Sequence, residues 1–108
     1  MDRRTRELYG RVLEHAVFLV YQGSIRPSVH SRQRRRLRAI EIADAEATIT
    51  SQDARVVGRN SDHPEGVTFE IAGRRANGDM VHVVVAFNDP DPSKATEITV
   101  VTVMYPDR

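Results

Sequence analysis

The apolar residues of this chain change period near residue 50, and that change constrains the fold more than any other feature. Between Arg6 and Tyr21 they recur at helical spacing. Leu8, Val12, Leu13, Ala16, Val17, Leu19 and Val20 fall on one half of the wheel, with Arg4, Glu7, Arg11 and Glu14 on the other. Past residue 50 the period is two. Val67, Phe69 and Ile71 alternate with Thr68, Glu70 and Ala72, the pattern of a strand buried on one face. Met80 to Phe87 is apolar almost throughout, which predicts a central strand. Asn77-Gly78 between these segments predicts a hairpin turn. Helices followed by hairpin-linked strands make an α+β domain. The expected form is two or three N-terminal helices packed on a curved, mainly antiparallel sheet of three or four strands. Its second face is partly open, a place to hold a ligand.

Local signals divide the chain further. Gln22-Gly23-Ser24 stops the first helix, since glycine suits the position after a last turn. Pro27 then blocks continuation. Ser28 can cap a second helix running through an arginine cluster to about Arg38. Ile42 to Ile49 reads as a short third helix, with Asp44 and Glu46 where its dipole favours acids. Ala54 to Gly58 is a candidate strand, and Asn60 to Gly66 is polar and turn-rich. Asn88 to Ala95, with Pro90 and Pro92, reads as a surface loop, and Thr96 to Tyr105 as a β-branched final strand.

A length of 108 residues predicts one domain, 1–108, in which the helix at about 5–22 is an addition. The absence of cysteine excludes disulfides and thiolate zinc sites. The longest apolar run, Ala16 to Tyr21, is too short to span a bilayer, and the arginine-rich start lacks the pattern of a secretory signal. The expectation is a cytoplasmic protein with no membrane association. Charge is unevenly placed. Residues 1–40 carry ten arginines and three acids, a net +7, whereas residues 41–108 carry five arginines, Lys94 and twelve acids, a net −6. A basic front half suits a polyanion or an acidic partner. Alternatively, the two halves neutralise each other in the fold.

Within the arginine cluster, His30, Arg34 and Arg38 stand at four-residue steps, so a helix would align them on one face. A proton-transfer group beside two fixed cations suits phosphodiester chemistry. Cleavage of RNA without a metal needs a base for the 2′-hydroxyl, cations for the charged phosphorane and an acid for the leaving oxygen. His30 can act as base or acid, and Arg34 and Arg38 can grip phosphate. By alternation, His82 faces away from Val81, Val83 and Val85 onto the open sheet face, where it can be a second proton carrier. Arg74 can join it as a phosphate ligand. Thr102 and Tyr105 close the last strand, and Tyr105 can stack a base or donate a proton. Each has a plainer reading: a solvated arginine face, satisfied structural histidines, an edge tyrosine packed on the helices. The spacing of His30, His63, His82 and Asp62 fits no metal-ligand motif, and no cofactor-binding loop is present.

Taken in order, His30, Arg34, Arg38-Ala39-Ile40, Gly73, Asn77-Gly78 and Thr102-Val103-Met104-Tyr105-Pro106 resemble the pattern of a bacterial family grouped with the RelE and BrnT ribonuclease toxins, in the barnase–EndoU–colicin–RelE fold. The resemblance covers about residues 25–106. It departs from that pattern at Ala39, where glycine is usual, and in the length of the Arg34-Arg35-Arg36 run. It implies that fold and an RNA substrate. With the residues above, the expectation is a metal-independent, cofactor-free endoribonuclease toxin of a toxin–antitoxin system. Its catalytic candidates are His30, Arg34, His82 and Tyr105, and its substrate-binding candidates are Arg38, Arg74 and Thr102. The expected partners are RNA, at the ribosome or elsewhere, and a protein antitoxin. The N-terminal helix is a candidate surface for that antitoxin or for a homodimer. The alternative is a non-catalytic RNA- or partner-binding module of the same fold.

Overall fold

The computed structural model describes residues 1–28 and 39–106. Helix α1 spans Arg3–Tyr21 and α2 spans Ala39–Ile49. The strands are β1 (Ile25–Pro27), β2 (Arg55–His63), β3 (Gly66–Arg74), β4 (Met80–Phe87) and β5 (Ile98–Met104), with a 3-10 turn at Pro92–Lys94. They form one mixed sheet in the order β1-β5-β4-β3-β2. β1 runs parallel to β5, and the other neighbours are antiparallel. The molecule is therefore α+β as expected, but its sheet has five strands instead of three or four. Among the described residues, no helix is long and apolar enough to cross a membrane.

Local chemistry explains where α1 begins and ends. The Asp2 carboxylate accepts from the Thr5 backbone N–H at 2.7 Å, capping its first turn. At the other end Gly23 adopts φ +75°, a conformation glycine takes without a Cβ penalty, and its N–H reaches the Val20 carbonyl. Between these caps Val12, Ala16 and Leu19 are buried. They meet Phe69, Ile71, Val83 and Val85 from the sheet and Ala45 and Ile49 from α2 in one core. Phe69 makes edge-to-face contacts with Tyr9 and Phe87, at centroid distances of 6.3 and 5.8 Å. Both described helices thus cover the same face of the sheet.

One difference from expectation sets the strand count, and a second sets the length of β2. Ile25–Pro27 is too short to show a period, and it is a strand because β5 offers a parallel edge. Pro27 is tolerated there because β1 is an edge strand, and the Ser28 N–H extends the ladder to Val100. The polar stretch from Asn60 belongs to β2, which continues to His63 opposite β3. Its polar side chains lie on an edge strand and need no core partner. Helix α2, Ala39–Ile49, contains the short helix expected from Ile42 to Ile49. The helix expected from Ser28 to Arg38 lies outside the described residues.

Candidate functional site

The second sheet face has no described helix over it. The register puts Glu70 opposite Gly58 and Val84, Ala72 opposite His82, and Thr102 opposite Val84. The parity that buries Phe69, Ile71, Val81, Val83 and Val85 therefore turns Thr68, Glu70, Ala72, His82 and Val84 the other way. Thr68 lines a trough on this face, whereas Ala72 and Ala86 are buried.

The sheet is strongly coiled around that trough. Three strand spacings separate β1 from β3, which would be about 14 Å in a flat sheet. Yet the Ser28 hydroxyl, just past β1, donates to Glu65 Oε1 at 2.6 Å, in the turn that leads into β3. The β2–β3 hairpin must curl over the open face to make this contact. Two hollows lie within the resulting groove. One, of about 320 Å³, is lined by Asn60, His63, Thr68, Glu70, Val84 and Thr102, with Arg59 at its edge strand. The other, of about 370 Å³, is lined by Glu70, His82, Met104, Tyr105 and Pro106. Glu70 belongs to both.

His82 and Glu70 are the chemical centre of the groove. His82 Nδ1 lies 2.5 Å from Glu70 Oε2, and the two side chains are 28% and 37% exposed, open enough to meet a ligand. With Nδ1–H donating to the carboxylate, Nε2 presents a lone pair. At the far end, His63 Nδ1 accepts from the Glu65 backbone N–H at 3.0 Å, which puts that ring's proton on Nε2. Asn60 Oδ1 accepts from the Asp62 N–H at 2.9 Å, so its amide nitrogen is the end left to donate to a ligand. The far hollow is thus rich in donors.

Thr102 and His82 lie on this same face, Thr102 in one hollow and His82 in the other. Arg74 does not join them. Its Nε reaches Asp53 Oδ2 at 2.8 Å and one terminal nitrogen donates to the Gly78 carbonyl at 2.9 Å, which fastens the end of β3. Tyr105 follows the end of β5 and borders the groove, but its hydroxyl points to α2 and donates to Asp44 Oδ2 at 2.7 Å. Arg75 also approaches Asp44, at 3.3 Å, and lies 5.0 Å over the Tyr105 ring. Burial, then the hydrogen bond to Asp44 and the nearby carboxylates, raise the Tyr105 pKa to about 12. The phenol keeps its proton through neutral pH. His30, Arg34 and Arg38 lie outside the described residues. Among the described residues, no cluster of three His, Asp or Glu side chains is placed to hold a metal ion.

Sequence reasoning passed over Glu70, Asn60 and His63 as parts of this site. Glu70 was legible: it has the parity of Thr68 and Ala72 on β3, and a hairpin through Asn77-Gly78 brings it diagonal to His82. Asn60 and His63 were not, because they lie in a segment whose composition reads as turn. Comparison with curated proteins and with solved structures gives no match. Residues 28–105, which include the whole sheet beyond β1 and every groove residue named above except Pro106, match a family described as a domain of unknown function (DUF4258), and the chain belongs to that family.

Proposed function

We propose that the groove binds single-stranded RNA and cleaves it by acid–base chemistry, with His82 as the proton carrier and Glu70 as its orienting carboxylate. The observation that carries this reading is the His82–Glu70 pair in a solvent-accessible hollow. His82 Nε2 takes the proton from a ribose 2′-hydroxyl. The 2′-oxygen forms a bond to phosphorus, and the bond from phosphorus to the 5′-oxygen breaks. That oxygen leaves with a proton, so the products are a 2′,3′-cyclic phosphate and a 5′-hydroxyl. Thr102 lines the same groove as a hydroxyl donor. The sequence candidates for the acid and the phosphate cations are His30, Arg34 and Arg38. The resemblance to RelE- and BrnT-type toxins supports the same substrate and adds an antitoxin as the natural inhibitor.

The test is cleavage of a labelled single-stranded RNA by the purified chain, with a chelator present. His82→Ala should lower the rate on the order of 10²–10⁴-fold, and Glu70→Gln on the order of 10²-fold, with RNA affinity largely kept. Induced expression should arrest bacterial growth, and His82→Ala should relieve the arrest. A wild-type protein that cuts no RNA, or a His82→Ala variant that cuts as fast, defeats this reading. The second reading is a non-catalytic RNA-binding module. The donor-rich hollow at His63 and Asn60 favours it, and binding without cleavage is its signature.

A further inference from the structure

The two ends of the groove are too far apart to serve one phosphate. His82 pairs with Ala72 and His63 pairs with Gly66, so they stand six residues apart along β3, about 20 Å. The hollows meet at Glu70, which makes them parts of one elongated trough. Their chemistries also differ. The His82 end holds a proton-transfer pair. The far end holds the Nε2–H of His63 and the amide of Asn60, each oriented by a backbone N–H bound at its other polar atom. Glu70, the carboxylate that lines both hollows, is engaged by His82, and Glu65, two residues after His63, accepts from the Ser28 hydroxyl.

We infer that Asn60 and His63 form a distal phosphate subsite, which holds a nucleotide several positions along the strand from the one at His82. The inference rests on the nucleic-acid reading above but not on cleavage. A chain ligand satisfies both ends together, and a short one reaches only one of them. Affinity therefore rises with oligonucleotide length until the distal subsite is filled. Its hydrogen bonds to phosphate set that gain, and base identity contributes little.

The experiment measures fluorescence anisotropy with labelled 2′-O-methyl oligonucleotides, which lack the attacking hydroxyl, two and eight nucleotides long. The wild-type protein should bind the longer probe at least tenfold more tightly, a margin that corresponds to about 1.4 kcal/mol. In His63→Ala and Asn60→Ala, both at solvent-accessible positions, the ratio of the two affinities should fall toward one. His63→Gln keeps a donor and should restore part of it. A wild-type ratio near one, or a ratio unchanged in both alanine variants, overturns the subsite. A retained length preference in a protein that cuts no RNA defeats the nuclease reading and leaves the subsite standing.

Discussion

The Tyr105 hydroxyl donates to an Asp44 carboxylate that Arg75 also approaches, and the Asp44 and Arg75 side chains are each only 13% exposed. A tyrosine in this setting holds the end of β5 against α2 and does not trade protons near neutrality. Because its pKa is raised from 10 to about 12, the folded state binds the phenolic proton more tightly than the unfolded chain does. The stability linked to it is complete below pH 10 and is lost as pH climbs toward 12. Tyr105→Phe should cost about 1–2 kcal/mol at pH 7, the value of a hydrogen bond to a charged acceptor. It should also flatten the alkaline fall in stability, as followed by urea unfolding at pH 8, 10 and 11. A variant with wild-type stability and an unchanged alkaline limb would refute the fastening role. His82 differs from Tyr105 in having a ring nitrogen left for a ligand after it meets its carboxylate, which is why the proposed chemistry centres on it.

At the scale of elements, the contact between α2 and β3 is closest at Gly73. A Cβ there would lie 2.5 Å from the Thr48 carbonyl oxygen and 2.6 Å from Ser51 Oγ. Those atoms cannot easily retreat. Ser51 Oγ donates to the Thr48 carbonyl at 2.8 Å and accepts from the Arg74 N–H at 3.2 Å, which closes the helix end onto the strand. Gly73→Ala should therefore destabilise the fold by about 1–3 kcal/mol, the usual cost of overpacking. Gly58→Ala is the control, because its nearest neighbour would be 3.9 Å away. Equal thermal midpoints for the two variants would contradict this account. Gly73 is one of the residues that carry the sequence resemblance, and its role in this structure is packing.

At the scale of the whole molecule, the groove depends on the coil of the sheet, and the Ser28–Glu65 hydrogen bond joins the two sides of that coil. Ser28→Ala and Glu65→Gln should each change global stability by only about 1 kcal/mol. Amide exchange across residues 60–66 should nevertheless quicken several-fold, and affinity for the longer oligonucleotide should fall with it. Unchanged exchange at the hairpin would mean that twist alone sets the curvature. Charge acts on the same scale. Among the described residues, Arg26 of the basic front half pairs with Glu97 of the acidic half, while Arg74 and Arg75 meet acids of their own half. Mutual neutralisation of the two halves is thus part of the charge balance.

Periodicity alone determined that helices come first and paired strands follow. It located α1, the β3–β4 hairpin and the parity that sends His82 away from the core, because these depend on side-chain burial repeating every 3.6 or two residues. Tertiary structure decided the rest. β1 is a strand only because β5 lies beside it, and β2 continues through polar residues only because β3 offers an edge. The partnership of His82 with Glu70, the removal of Arg74 to Asp53 and the engagement of Tyr105 by Asp44 are contacts between residues 12, 21 and 61 positions apart. Local pattern specifies which face a side chain takes. It does not specify which groups from distant segments meet there, since that depends on register, twist and the way the chain closes in space.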